Sequence, residues 1–245
     1  MIGLSSKGVA LSLEQRAAAL AEARIAVELD ARGFACLTGL LTASECAELA
    51  ALYADADRFR SRVVMHRHGY GRGEYQYFEH PLPNSVLQLR AASYPRLVPI
   101  ANAWSERLKS EQRFPAALDE LHERCRALGQ TRPTPLLLKY GADDYNCLHQ
   151  DLYGELVFPL QLAVLLSEPG QDFEGGEFVL TEQRPRMQSR VEVVPLQRGD
   201  AVVFAVRHRP VMGTRGDYRV NVRHGVSRVR RGERFTLGVI FHDAG

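Results

Sequence analysis

The spacing of hydrophobic residues divides the chain into two parts. In the first, apolar residues recur at helical spacing among many alanines, which predicts one amphipathic helix over residues 11–32 that Gly33 ends. The apolar run 34–41 predicts a strand. Thr42 and Glu45 then form a capping box, which opens a second helix that continues to about residue 53.

The rest of the first part is less regular. Residues 57–84 are rich in Arg, His, Gly and Tyr and have no clear period, which predicts an ordered loop region with short strands. Residues 96–128 return to helical spacing, with an interruption near Pro115. We therefore expect residues 1–132 to be mainly helical.

Beyond residue 132 the chain consists of short apolar runs separated by turn residues. The runs cover 135–140, 155–166, 176–181, 190–196, 200–206, 218–224 and 234–242. Closely spaced short strands of this kind predict a β-sandwich or barrel. Because we find neither an internal repeat nor a low-complexity linker, we expect one domain over 1–245. In it, a helical part (1–132) packs on a β core (133–245).

Composition places the chain among ordinary globular proteins. Its 245 residues are 45% hydrophobic and 24% charged, with a formal net charge of +2, which argues against a disordered chain and against a polycation that coats nucleic acid. No apolar stretch approaches the ~20 residues that span a bilayer, and no secretory signal is apparent. The four cysteines are scattered, so we expect reduced thiols in a cytoplasmic protein without a membrane partner.

One polar segment of the β part carries the candidate chemistry. His149 and Asp151 are two residues apart, which places both side chains on one face of a strand. A further histidine would complete a 2-His-1-carboxylate facial triad, the arrangement that leaves metal positions open in non-haem Fe(II) oxygenases. His224 is the preferred third ligand because it shares an apolar strand face with neighbouring valines, and His208 is its competitor.

The last predicted strand supplies a basic residue at an inward position. Arg234 and Thr236 fall on the same face of the run 234–242. A buried arginine needs an anionic partner, because an unpaired buried charge is very costly. A small dicarboxylate with one end on a metal ion would be such a partner, bound at its other end by the guanidinium.

Taken together, these motifs resemble the Fe(II)/2-oxoglutarate-dependent dioxygenases, and most closely a bacterial-type member of the prolyl-4-hydroxylase-like branch. The matching residues are His-x-Asp at 149–151, His224 and, ten residues later, Arg234. The runs 173–177 and 198–204 match as well. The resemblance covers about 135–242 and implies an α+β fold, in which N-terminal helices pack against a double-stranded β-helix (jelly-roll) core.

The resemblance also implies a ligand set and a reaction. His149, Asp151 and His224 would bind Fe(II), while Arg234, helped by Thr236, would pair with the distal carboxylate of 2-oxoglutarate. O2 would be the second cosubstrate, and the resemblance also allows ascorbate as a reductant. The implied reaction hydroxylates a substrate C–H bond and releases succinate and CO2, and no catalytic residue is implied beyond the metal ligands.

Four further residues are candidates for contacts in the pocket. Tyr140 occupies the place of a family tyrosine that hydrogen-bonds the cosubstrate. Tyr145, Arg207 and His208 are candidates for contacts with the substrate.

The high arginine content does not identify the substrate. Arginine accounts for 28 of the 31 basic residues, and 13 arginines lie within 184–234 against four acidic residues. This pattern suits a basic rim for nucleic acid or an acidic protein. A preference for Arg codons with solvated charges also explains it, and the scarcity of lysine throughout the chain somewhat favours this second explanation. The Arg-x-Asn-x5-Arg signature of the DNA/RNA-repair branch does not follow His224. On resemblance alone a peptidyl or prolyl substrate is favoured, with nucleic acid or a small metabolite as alternatives.

Two other classes of function stay open at this point. A non-catalytic β-barrel that binds metal or nucleic acid would also account for the basic stretch. A zinc hydrolase would use the same three ligands. The sequence predicts no particular oligomeric state.

Overall fold

The structure, a computed structural model, describes residues 11–245. The first ten residues, where no secretory signal is expected, lie outside the described residues. The helices are α1 (Leu13–Ala18), α2 (Glu22–Arg32), α3 (Ala43–Ala51), α4 (Asn84–Arg107) and α5 (Leu118–Ala127). Within this described range, no helix combines the length and the hydrophobicity that crossing a bilayer requires.

Fifteen strands make up the β structure of the described chain. In the first part of the chain they are β1 (Phe34–Leu37), β2 (Phe59–Val64), β3 (Gly71–Arg72) and β4 (Glu74–Phe78). In the second part they are β5 (Leu136–Tyr140), β6 (Tyr145–His149), β7 (Leu160–Leu165), β8 (Phe173–Gly175), β9 (Phe178–Gln183), β10 (Arg190–Val194), β11 (Ala201–Ala205), β12 (His208–Gly213), β13 (Gly216–Val226), β14 (Val229–Gly232) and β15 (Arg234–Val239).

Two antiparallel sheets form the core. The larger has seven strands in the order β1-β11-β7-β15-β5-β4-β2. The smaller has the order β10-β9-β13-β6-β3, with β12 paired to β13. The sheets pack through aromatic side chains, such as Phe178 of β9 against Phe204 of β11, whose ring centroids are 5.1 Å apart. The predicted α+β fold with a jelly-roll core is confirmed.

The single helix predicted over 11–32 is two helices. Ser12 and Gln15 form a capping box at the start of α1, and α2 ends at Gly33, whose φ of +83° is left-handed. Leu13 and Ile25, both buried, would point about 120° apart on one straight helix of 3.6 residues per turn. The break at 19–21 therefore lets each helix turn its own apolar side to the core.

The region 57–84, predicted as an ordered loop region with short strands, contains the three short strands β2, β3 and β4. β2 and β4 pair with each other, and β4 pairs with β5 in the larger sheet. β1 joins the opposite edge of that sheet beside β11. The first part of the chain therefore contributes strands to both sheets as well as all five helices of the described residues.

Helix α4 is anchored to the C-terminal end of the larger sheet by a buried arginine. Arg90 is 2% exposed and donates hydrogen bonds to the carbonyl oxygens of Ile240 at 2.9 Å and Phe241 at 2.8 Å. It also pairs with the buried Asp243 carboxylate at 2.8 Å. These contacts hold the segment after β15 against the helix, and so fix the end of the strand that carries Arg234.

We predict that Arg90→Met destabilises the protein by about 3–5 kcal/mol, because it leaves the Asp243 carboxylate buried and unpaired. Urea denaturation measures this as a lower unfolding midpoint. Arg96→Met, an exposed position on the same helix, is the control and should change the unfolding free energy by less than about 0.5 kcal/mol. Equal midpoints for both variants would contradict the anchoring role.

Candidate active site

Three side chains that could bind a metal ion converge between β6 and β13. His149 ends β6 and lies opposite His224 of β13, while Asp151 follows two residues after His149. One ligand atom from each residue lies within 4.8 Å of the others. His224 Nε2 is 3.2 Å from Asp151 Oδ2, and His149 Nε2 is 3.5 Å from Asp151 Oδ1. The predicted triad is therefore assembled by the register of two neighbouring strands.

The hydrogen bonds of the site orient its imidazoles. His149 Nδ1 is 2.8 Å from the carbonyl oxygen of Cys147, which can only accept, so Nδ1 carries the proton. Nε2 then faces Asp151 and His224. Burial acts to lower the pKa of His149, but the hydrogen bond and the charge of Asp151 outweigh it and raise that pKa. Burial and the neighbouring His149 lower the pKa of His224, which favours its neutral, metal-binding form.

The carboxylate of the triad is ionised and held by a tyrosine. Burial alone would raise the pKa of Asp151, but His224 and His149 outweigh it and bring the pKa well below its usual value. The Tyr153 hydroxyl donates a hydrogen bond of 2.7 Å to Asp151 Oδ1. Burial, with the nearby Asp151 charge, raises the pKa of Tyr153 well above its ordinary value, so this donor keeps its proton.

This donor set fits iron chemistry. Two imidazole nitrogens and one carboxylate, grouped on one side of an open cavity, are the facial arrangement found in non-haem Fe(II) oxygenases. Zn²⁺ can use the same ligand types, so the triad alone does not separate the two metals. The residues at the other end of the cavity help to distinguish an iron site from a zinc site.

A buried arginine without an acidic partner lies in the same cavity. The cavity has a volume of about 520 Å³ and is lined both by the triad and by Arg234, Thr236 and Tyr140. Arg234 is 1% exposed and donates to Thr236 Oγ1 at 2.5 Å, but its Nε has no partner within residues 11–245. Burial lowers its pKa to about 10, although Tyr140 and Glu177 act in the opposite direction. A cation placed in this way fits an anionic ligand.

Tyr140 forms the wall beside this arginine. It is the direct cross-strand partner of Arg234 between β5 and β15, and its ring centroid lies 5.6 Å from the guanidinium carbon. Asn146 donates to the Tyr140 hydroxyl at 3.3 Å. Burial raises the pKa of Tyr140, so the hydroxyl stays protonated and able to donate to a ligand.

Not every residue predicted from the sequence lies at this cavity. Tyr145 is 37% exposed on β6 and does not line it. Arg207 and His208 line a separate cavity of about 320 Å³. His208 pairs with Asn221 across β12 and β13 and lies outside the cluster of candidate ligands, so the structure provides no alternative to His224 among the described residues.

Sequence reasoning missed several polar residues of the cavity, among them Tyr153 and Gln161. Tyr153 follows Asp151 by two residues, a spacing that could have drawn attention to it. Gln161 lies within the otherwise apolar strand β7, is 4% exposed, and has no partner for its Oε1 in the described part of the chain. A single polar residue in a buried strand was the available signal.

About half of the arginines in the basic stretch 184–234 are paired with carboxylates in the folded protein. Seven of its thirteen arginines form ion pairs with carboxylates of the described residues, and most of these carboxylates lie outside the stretch. The paired arginines are Arg184, Arg190, Arg198, Arg209, Arg228, Arg230 and Arg231. A continuous basic rim, as the sequence count suggested, is therefore not formed by this stretch as a whole.

Comparisons with known proteins place the chain in a family. Residues 73–244 match a family model described as "Oxygenase, catalysing oxidative methylation of damaged DNA". An uncharacterized protein of Mycobacterium tuberculosis, found in two strains, is 52% identical over 167 residues, which cover 68% of this chain and 72% of the relative.

Solved structures share the fold at low sequence identity. A prolyl-4-hydroxylase from Pseudomonas putida matches with a TM-score of 0.54 and 18% identity, covering 92% of this chain and 100% of the other. An oxidoreductase of the 2OG-Fe(II) oxygenase family from Burkholderia pseudomallei matches with a TM-score of 0.55 and 18% identity, covering 93% and 94%. These structures show that the fold is shared, and the family model covers residues 73–244, so the chain belongs to the oxygenase family that this model describes.

Proposed function

We propose that this protein hydroxylates a C–H bond of its substrate, with Fe(II) bound by His149, Asp151 and His224 and with 2-oxoglutarate anchored by Arg234. The observation that carries this proposal is the single cavity that joins the triad to a buried arginine without an acidic partner. A zinc hydrolase would have no need of that cation. A non-catalytic metal site would need neither the cation nor the open cavity.

The protein's own residues contribute binding and orientation. Bound Fe(II) would supply the oxidation of the substrate by O2, coupled to the decarboxylation of 2-oxoglutarate to succinate and CO2. Arg234 and Thr236 fix the distal carboxylate, and the Tyr140 hydroxyl is available to donate a further hydrogen bond to it. Phe178 and Phe204 pack against His224, with ring centroids at 6.0 and 4.7 Å, and exclude water from that side of the ligand.

We propose nucleic acid as the substrate class. The matching family model is described by a reaction on damaged DNA. In support, Tyr70 lines the cavity, is 50% exposed and stacks on His68 with ring centroids 5.3 Å apart. An exposed aromatic platform at the entrance to a cavity suits stacking with an unpaired base. The peptidyl or prolyl substrate stays a prediction, because likeness to a prolyl hydroxylase at 18% identity concerns the fold alone.

The direct test of the reaction is 2-oxoglutarate turnover. Anaerobically purified protein supplied with Fe(II) and then O2 should convert 2-oxoglutarate to succinate, and His149→Ala should abolish both turnover and stoichiometric iron binding. His66→Ala, an exposed position, serves as the matched control and should retain both. Turnover that survives in His149→Ala would refute the assigned metal site.

The role of Arg234 predicts opposite effects on ligand binding and on stability. Arg234→Met should weaken 2-oxoglutarate binding by about 100-fold, since it removes charge-assisted hydrogen bonds. Without 2-oxoglutarate it should leave the unfolding free energy unchanged or raised, because a buried unpaired charge is removed. Calorimetric titration and urea denaturation measure the two effects.

Arg209→Met is the matched control for that experiment. Arg209 is equally buried, at 1% exposed, but it pairs with the buried Glu182. Its replacement should lower the unfolding free energy and leave 2-oxoglutarate affinity unchanged. The assignment fails if Arg234→Met destabilises the protein as Arg209→Met does while binding 2-oxoglutarate normally.

The Tyr153 hydroxyl should strengthen Fe(II) binding, because it orients the Asp151 carboxylate. Tyr153→Phe is expected to weaken Fe(II) affinity by roughly 10–100-fold, the usual effect of losing a group that orients a metal ligand. Tyr75→Phe removes a hydroxyl from the same cavity without a hydrogen bond to Asp151, so its metal affinity should match the wild type. Equal Fe(II) dissociation constants for both variants would exclude a positioning role for Tyr153.

A further inference from the structure

We propose that Arg207, His208 and Arg219 form an anion-binding subsite beside the active site, which holds a phosphate group of a nucleic acid strand whose target base enters the catalytic cavity. The inference rests on the proposed function and extends it by assigning residues outside the metal centre. These three residues line a cavity of about 320 Å³ that is distinct from the one holding the triad.

The two cavities are neighbours. Leu152, directly after the metal ligand Asp151, lines both of them. Gln150, between the two first ligands, donates from Nε2 to the Val222 carbonyl at 2.8 Å and lies 3.4 Å from the Arg207 carbonyl. These contacts hold the segment 149–151 against β13, which carries Arg219, and against the backbone of Arg207. A ligand that extends from the triad past Leu152 would enter both cavities.

The charges of the subsite lack internal partners. Neither Arg207 nor Arg219 forms an ion pair with any residue of the range 11–245, in contrast to seven other arginines of the same stretch. His208 is half-buried, and burial followed by the charges of Arg207 and Arg219 lowers its pKa to about 4. The imidazole is therefore neutral at physiological pH and can donate one hydrogen bond. Glu155 is the one carboxylate on the cavity wall.

This arrangement fits a phosphodiester better than a small free anion. Arg207 and Arg219 are exposed, and a subsite of exposed cations binds weakly unless the ligand is held elsewhere as well. A strand whose base occupies the catalytic cavity would meet that condition, because its backbone would pass Leu152, which lines both cavities. Guanidinium groups are suited to bidentate contacts with phosphate oxygens.

The test measures how tightly a fluorescently labelled single-stranded deoxyoligonucleotide binds the protein. Fluorescence anisotropy gives the affinity at salt concentrations between about 50 and 200 mM. The double variant Arg207→Gln with Arg219→Gln should weaken binding by about tenfold or more, and should reduce the slope of log affinity against log salt by about 2. The matched control is Arg186→Gln with Arg215→Gln, which removes the same charge from exposed positions of the same stretch that line neither cavity. Its affinity should match that of the wild type, and its slope of log affinity against log salt should agree with the wild-type slope to within about 0.5.

Two results would overturn the subsite. One is an equal loss of affinity in both double variants, which would indicate non-specific charge attraction. The other is equally tight binding of an acidic peptide of the same length with the same dependence on Arg207 and Arg219, which would assign the residues to a protein partner. Uncoupled 2-oxoglutarate turnover, measured on the same preparations, separates this failure from a failure of the proposed reaction.

Discussion

A positive charge enclosed without a protein carboxylate is the constraint on which the rest of this structure depends. Arg234 is fully buried beside Tyr140 and Thr236, and it forms no ion pair with any acidic residue of the described chain. Folding tolerates such a group only where other contacts outweigh its cost. The charge is useful because it faces a cavity that ends at three potential metal ligands. We propose that an anionic cosubstrate completes the pairing that the protein leaves open.

This arrangement arises because the two sheets face each other across the cavity. The smaller sheet carries both histidines at directly opposed positions of β6 and β13, and the larger carries Arg234 opposite Tyr140 on β15 and β5. Neither sheet holds the complete site. The contacts of Arg90 with the segment after β15 therefore matter for chemistry as well as stability, because they fix one sheet relative to the helix that packs on it.

The sequence alone identifies the parts of the site that depend on short spacing. His149, Asp151, His224, Arg234, Thr236 and Tyr140 all follow from strand alternation or from a motif, and the structure places all of them on one cavity. Contacts between distant segments could not be predicted in this way. The pairing of Arg209 with Glu182, and the strands β2 and β4 within the larger sheet, depend on which strands become neighbours. The local charge count overestimated the basic rim for the same reason.

The central claim is that one cavity holds Fe(II) and 2-oxoglutarate together. A crystal structure of the protein grown anaerobically with Fe(II) and 2-oxoglutarate, with data collected at the iron absorption edge, tests it most directly. We expect an anomalous peak between His149, Asp151 and His224, and 2-oxoglutarate extending from it so that its distal carboxylate meets Arg234. Iron bound elsewhere, or 2-oxoglutarate bound away from Arg234, would contradict the account.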